Sequence, residues 1–251
     1  MTGRLAVVGI GPGDDALLPP AAADALAAAE AIYGYAGYLR RVRPRPGQKL
    51  VASDNREESA RASAALDAAT AGARVALVSG GDPGVFAMAA AVCEQIEHGP
   101  AAWRTLDITV VPGITAMLAV AAAVGAPLGH DFCVMSLSDN LKPWPLIERR
   151  LDAAATAGFA LALYNPVSHT RPWQLGVAFE RLRTWLPDAT PVVFGRAIAR
   201  PDQQVRVTTL GNANSYPADM ATCIIVGSPE TRIVTRQHLP PLVYTPRSAS
   251  K

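Results

Sequence analysis

Short, unbroken apolar runs punctuate the first half of the chain: Leu5-Ala6-Val7-Val8, Val75-Ala76-Leu77-Val78 and Ile108-Thr109-Val110. Runs this short, apolar throughout and partly β-branched, predict strands buried on both faces over residues 4–9, 74–79 and 107–111. Between them, Ala- and Leu-rich stretches carry their apolar positions at helical spacing. They predict helices over 21–31, 57–71, 84–98 and 115–124. Pro19-Pro20 presets the first turn of the first helix. Strand and helix in alternation imply a mostly parallel sheet with right-handed crossovers. The pattern breaks at Gly125-Ala126-Pro127-Leu128-Gly129 and then restarts. Strands are expected over 132–137, 159–164 and 191–198, and helices over 144–157 and 173–186. Strands over 204–210 and 221–227 follow with no helix between them, which calls for antiparallel pairing in a mixed sheet. The tail from Pro240, rich in Pro and Ser, reads as frayed. The expected fold class is α/β with two α/β domains, a mostly parallel one over 1–128 and a mixed one over 129–251. The active site is expected in the cleft between them.

Each of the three apolar runs ends in a glycine turn: Gly9-Ile10-Gly11-Pro12-Gly13-Asp14, Gly80-Gly81-Asp82-Pro83-Gly84 and Val111-Pro112-Gly113-Ile114-Thr115-Ala116. The carboxyl ends of strands are where open α/β sheets bind ligands, so three such turns suggest one composite site. A dinucleotide fingerprint needs glycine at the sixth position of the first loop, where this chain has Asp14 after an interrupting Pro12. A carboxylate there repels a pyrophosphate, which disfavours a nicotinamide coenzyme. A tight turn capped by Asp14 or Asp15 explains the same residues. Asp82 is either an N-cap or an acceptor for an ammonium group. The Thr115 hydroxyl and its neighbouring amides either cap a helix or hold a carboxylate at its N-terminus. Together the second and third loops offer what an amino-acid-bearing ligand requires.

In the second half, Leu163-Tyr164-Asn165-Pro166 ends a strand, with Ser168, His169 and Arg171 following. Turn formation and capping account for Asn165 and Ser168. They leave over Arg171, which is able to fork onto a carboxylate. Gly195-Arg196-Ala197 ends another apolar strand, and Ser136-Leu137-Ser138-Asp139-Asn140 with Lys142 forms a polar loop. The four histidines, His98, His130, His169 and His238, have no metal-ligand spacing, so no metal site is expected. Cys93, Cys133 and Cys223 form neither a disulfide framework nor a metal set, and Cys133 and Cys223 read as buried thiols.

The charge is nearly balanced, 23 basic against 21 acidic residues, which argues against nucleic acid as a partner. The one dense basic cluster, Arg40, Arg41, Arg43 and Arg45, is broken by Pro44 and Pro46 and reads as a solvated loop. The apolar run from Ala116 to Leu128 is too short and interrupted to span a bilayer, and the start lacks a signal-peptide pattern. A cytoplasmic protein without membrane contact is therefore expected. No Gly-x-Ser-x-Gly elbow, Cys–His pair or Walker loop is present. A reaction whose reactive group arrives on a cofactor fits that set of residues.

Taken in order, Gly-x-Gly-Pro-Gly-Asp at 9–14, Gly-Gly-Asp-Pro at 80–83 and Val-Pro-Gly-Ile-Thr-Ala at 111–116 resemble the tetrapyrrole methylases, along nearly the whole chain up to Ile224-Ile225-Val226-Gly227. The resemblance implies two α/β domains, S-adenosylmethionine as cofactor, S-adenosylhomocysteine as product and a homodimer. Ser136-Leu137-Ser138-Asp139 with Pro143-Trp144, Ala162-Leu163-Tyr164-Asn165-Pro166 and Arg200-Pro201-Asp202 resemble one branch of that family. Its members methylate precorrin-3B at C-17 as the ring contracts to precorrin-4, in aerobic cobalamin synthesis. Carried over by position, cofactor contacts fall on Pro12, Gly80, Gly81, Asp82, Val85, Thr115, Ala116, Asn165 and the backbone of Gly195, Arg196 and Ala197. Gly11, Gly13, Ser138, Lys142 and Arg171 fall on the tetrapyrrole side, with Arg196 as a further carboxylate anchor. Asp14, Tyr164 and His169 are the candidates for proton transfer. A methylase of another precorrin position, of ribosomal RNA or of protein stays open, as do a nicotinamide oxidoreductase and a non-catalytic tetrapyrrole carrier.

Overall fold

The structure, a computed structural model, describes residues 3–54 and 57–248. The chain forms two compact units that divide after Thr115.

The first unit runs β1 (Arg4–Gly9), α1 (Pro20–Ala28), β2 (Ala31–Tyr35), α2 (Ala36–Leu39), β3 (Lys49–Ser53), α3 (Glu58–Thr70), β4 (Arg74–Ser79), α4 (Met88–His98) and β5 (Asp107–Val111). Its five strands form one wholly parallel sheet in the order β3-β2-β4-β1-β5. β1 and β4 are buried almost throughout, as their unbroken apolar runs demand. Ala62, Ala65, Leu66 and Ala69 line the inward stripe of α3, all fully buried. The three alanines let the helix sit close against β1 and β4.

Two strands of this unit, β2 and β3, fall outside those the apolar runs predict. β2 begins at Ala31, the last residue of the helix expected over 21–31, because α1 stops at Ala28 with an extended Ala29 after it. β3 lies at the sheet edge and is mostly exposed, so it never presents an apolar run. The helix expected from 84 begins at Met88 instead: Ala87 is extended and Phe86 has a left-handed backbone, φ 52°.

The second unit runs α5 (Ala116–Val124), β6 (Gly125–Ala126), β7 (Phe132–Ser136), α6 (Trp144–Thr156), β8 (Ala160–Tyr164), α7 (Gln174–Arg183), β9 (Pro191–Arg196), β10 (Gln204–Thr209), β11 (Thr222–Val226), β12 (Arg232–Arg236) and β13 (Leu239–Tyr244). Its main sheet has the order β10-β9-β11-β8-β7. Only β7 and β8 are parallel, so the sheet is mixed as expected. α6 and α7 bury Ile147, Leu151, Phe179 and Leu182 on it. α5 belongs to this unit because Val120, Ala121 and Val124 pack on Val193, Cys223, Ile225 and Val243. The division therefore falls earlier in the chain than the glycine-proline break at 125–129.

The tail from Pro240 is not frayed up to Thr245. β13 pairs antiparallel with β12 and parallel with β6, and Val243 is 1% exposed. The Thr245 hydroxyl donates to the Pro127 carbonyl at 2.6 Å. This three-stranded sheet joins segments far apart in sequence, which local patterning does not reveal.

Cys223 is buried in β11, while Cys133 is half-buried and Cys93 exposed. Burial pushes the Cys223 thiol up to about 12, against a hydrogen bond with Tyr164 that pulls it down. Since the thiolate is the reactive species, a thiol reagent at pH 8 should label Cys93 on the native protein and spare Cys223 until the chain unfolds. Peptide mapping after timed labelling checks this, and early modification of Cys223 would contradict the packing described.

Candidate functional site

In the first unit β1 lies between β4 and β5, so the turns leaving the three strands are neighbours. The first two turns clasp each other. Gly11 N–H donates to the Gly81 carbonyl at 3.1 Å, and Gly81 N–H to the Gly11 carbonyl at 2.9 Å. Both glycines have positive φ, 67° and 65°, which a side chain would resist. The third turn packs onto both: a Cβ on Gly113 would lie 2.2 Å from the Gly81 oxygen and 2.8 Å from the Gly9 carbonyl carbon. The expected composite of three loops is thus a single block of main chain.

Asp82 ties the block together. Its Oδ1 accepts from Gly84 N–H at 2.8 Å and its Oδ2 from Gly113 N–H at 3.0 Å. It is therefore a local turn-former and a link to the third loop at once. A carboxylate has about four lone-pair positions, so acceptor capacity remains for a ligand. Asp82, Gly80, Gly81 and Val85 are half-buried, Pro12 and Thr115 are buried, and Ala116 opens α5. Asp14 is exposed, and its Oδ1 accepts from Ala16 N–H at 2.9 Å, the capping arrangement of a short 3-10 turn. Gly13 is half-buried beside it.

Two residues at this block had no sequence signal of their own. The Tyr38 ring lies against Gly80, where a Cβ would come within 2.7 Å of it. Arg41 donates to the Ile10 and Gly11 carbonyls at 2.8 and 3.0 Å. The solvated-loop reading of the basic cluster is thereby corrected for Arg41, which braces the first loop. Recognising β2 as a strand would have pointed to both, since α2 and the turn after it follow its carboxyl end.

In the second unit, the parallel neighbours β7 and β8 send their following loops out side by side. Asn165 leaves β8 with φ 51° and donates through Nδ2 to the Ser136 hydroxyl at 2.9 Å, while Ser138 N–H donates to the same hydroxyl at 3.2 Å. Arg171 is 6% exposed. It donates to the Asn165 carbonyl at 3.2 Å and reaches the Met220 sulfur at 3.5 Å. Among the described residues no carboxylate forms an ion pair with it. Guanidinium groups that deeply buried normally have an anionic partner. Tyr164 is held in place, its hydroxyl accepting from Met117 N–H at 2.8 Å in the first turn of α5. His169 is exposed at the tip of a turn closed by Ser168 and Arg171. Lys142 is half-buried, and burial together with Arg150 lowers its pKa.

Gly195 and Arg196 are the last two residues of β9, paired on both sides by β10 and β11. A Cβ on Gly195 would come within 2.2 Å of Val120, so the glycine serves the packing of α5. The Arg196 guanidinium is engaged by Asp219 at 2.8 Å and Asp202 at 3.2 Å. A group paired twice is a poor anchor for a ligand carboxylate, and this corrects the expectation for Arg196. Ala197, just beyond the strand, has φ 47° and donates its N–H to the Ala221 carbonyl at 2.9 Å. Strained non-glycine backbone thus recurs in the candidate loops, at Phe86, Asn165 and Ala197. Such strain persists where surrounding structure over-determines it, commonly at functional sites.

The family model for tetrapyrrole (corrin/porphyrin) methylases matches residues 4–214. This chain is a tetrapyrrole methylase. It is 63% identical over 98% of its length, and 97% of the relative's, to a precorrin-3B C(17)-methyltransferase from Sinorhizobium sp. It is 40% identical to a probable cobalt-factor III C(17)-methyltransferase from Salmonella typhimurium strain LT2, over 96% of this chain and 99% of that one. Among solved structures, the methyltransferase CobJ superposes with a TM-score of 0.91 at 47% identity, covering 97% of this chain and all of that one. Membership sets aside the nicotinamide oxidoreductase and the carrier. Among the described residues, no helix of this methylase is long and apolar enough to cross a membrane, and no cluster of His, Cys, Asp or Glu is arranged to hold a metal ion.

Proposed function

We propose that this methylase transfers the methyl group of S-adenosylmethionine to C-17 of precorrin-3B, with ring contraction to precorrin-4, in cobalamin biosynthesis. The observation that carries the reading is the main-chain block of the three glycine loops, stapled by Asp82, in a chain 63% identical to a precorrin-3B C(17)-methyltransferase. The block fits the cofactor's chemistry. A fixed carboxylate with spare acceptor capacity, set among half-buried glycines, suits an amino-acid group attached to a flat nucleoside.

When bound, S-adenosylmethionine supplies an electrophilic sulfonium methyl. Pro12, Gly80, Gly81, Asp82, Val85, Thr115, Ala116, Asn165 and Ala197 hold and orient it, which lowers the barrier chiefly by positioning. Asp82 receives the α-ammonium. Gly11, Gly13, Ser138, Lys142 and Arg171 hold the macrocycle, and the buried Arg171 gains from a substrate carboxylate the counter-charge it lacks. Positive charge disappears from the cofactor in the reaction, so exclusion of water from the site would favour it. Ring contraction needs proton transfers, which fall to Tyr164, Asp14 or His169. Tyr164 and Asp14 each accept from a main-chain N–H, and of the two Tyr164 is the one that ends a strand. The enzyme works as a cytoplasmic homodimer on a small-molecule substrate, without nucleic acid or membrane.

The test is mass spectrometry of the purified chain incubated with precorrin-3B and methyl-labelled S-adenosylmethionine. One labelled methyl at C-17 and stoichiometric S-adenosylhomocysteine are expected. Labelling of cobalt-factor III in preference to precorrin-3B, or of another ring position, would overturn the assignment.

A further inference from the structure

Trp144 opens α6 and Trp173 immediately precedes α7, so both indoles stand in the loops that follow β7 and β8. Their rings meet edge to face, with centroids 4.9 Å apart and planes at 74°. Trp144 packs on the second unit's core, whereas Trp173 is left 45% exposed. Leu141, in the loop that leads to Trp144, is 94% exposed. That loop is anchored: Gln174 Nε2 donates to the Asp139 carboxylate at 3.3 Å, and Ser138 is tied to Ser136. A tryptophan and a leucine held out in water on anchored loops are costly to leave bare.

Charge says what covers them. Lys142 adjoins Leu141, and its protonation is opposed first by burial and then by Arg150 on α6. A ligand carboxylate would reverse that effect. An aromatic surface with a lysine in the adjoining loop complements a broad conjugated ring that carries carboxylates. Two edge-to-face indoles also lose little freedom on binding, since the inner one fixes the outer.

We propose that Trp173, backed by Trp144 and accompanied by Leu141, is the platform for one face of the substrate macrocycle, with Lys142 taking a peripheral carboxylate. Trp173 is then the residue that selects a tetrapyrrole-sized ring. The assignment rests on the proposed precorrin methylation.

Two measurements test it separately from that reading. Trp173→Ala should raise KM for precorrin-3B about tenfold, a usual scale for losing one stacking surface. It should leave kcat within about twofold and S-adenosylhomocysteine affinity unchanged, and Trp173→Phe should restore most of the loss. Independently, uroporphyrin III, a stable flat polycarboxylate, should quench the fluorescence of the wild-type chain's four tryptophans. The affinity read from that quenching should fall about tenfold in Trp173→Ala and recover in Trp173→Phe. A quenching affinity that depends on Trp173 in a protein that fails to methylate precorrin-3B would keep the platform and sink the proposed reaction. Unchanged KM, a quenching affinity independent of Trp173, or a Trp173→Ala protein that changes only from dimer to monomer would overturn the platform.

Discussion

Gly113→Ala is expected to destabilise the protein by about 3 kcal/mol and to abolish tight cofactor binding. The added methyl would sit 2.2 Å from the Gly81 oxygen and 2.8 Å from the Gly9 carbonyl carbon. Both are main-chain atoms of strand-end turns, so neither moves aside as a flexible side chain would. Gly81 is further held by paired hydrogen bonds to Gly11. The strain must therefore push β5's turn away from the other two and break the Asp82–Gly113 contact at 3.0 Å. In a chain of this size the loss corresponds to a fall of roughly 6–12 °C in Tm. Gly176→Ala is the matched control. That glycine lies in α7 with nothing within 4 Å of the new methyl. Alanine is the better helix former by about 1 kcal/mol, so the sign reverses and Tm rises. Differential scanning calorimetry of both variants decides the matter. A Gly113→Ala protein that melts within a degree or two of wild type would mean that the three loops are not in contact.

The architecture was legible where burial is two-sided and hidden where it is not. β1, β4, β8, β9 and β11 lie inside sheets, and their apolar runs announce them. β3 is an edge strand with Lys49 and Leu50 exposed, and no run forms. β12 and β13 form a hairpin exposed along much of its length, whose one deeply buried contact is Val243. Proline in β13 further disguised it, since Pro240 and Pro241 suit a strand only at an edge or an irregular pairing. The candidate site divides the same way. Glycine turns at strand ends carry their own chemistry, so the first unit's loops could be found directly. Tyr38 and Arg41 could not, because what brings them to the site is the position of β2 beside β4. Arg196 shows the converse failure. Its charge was visible, but Asp202 and Asp219, which neutralise it, are brought there by the chain's path after β9 and beside β11.

Asp82→Ala should weaken S-adenosylhomocysteine binding by about 30- to 100-fold, and Asp82→Asn separates the two reasons for it. The alanine variant orphans two amides, Gly84 N–H and Gly113 N–H, and removes the acceptor proposed for the α-ammonium. Hydrogen bonds to an ionised group contribute about 1.5–3 kcal/mol each, so a structural cost accompanies any loss of affinity. Asparagine keeps one carbonyl oxygen to accept from one of the amides and keeps the side chain's shape. It removes the negative charge and turns an NH2 toward the other amide or toward the ligand. If Asp82 only braces the loops, Asp82→Asn should lose part of the Tm and retain most of the affinity. If its charge also receives an ammonium, the asparagine variant should bind S-adenosylhomocysteine nearly as poorly as the alanine variant while melting well above it. The second outcome is expected. 5′-Methylthioadenosine, which lacks the amino-acid portion, supplies the internal control. Its affinity should fall in Asp82→Ala only as far as the loops are loosened, and hardly at all in Asp82→Asn. Calorimetric titration of both ligands against all three proteins measures this. Equal losses for the two ligands would confine Asp82 to holding the loops together.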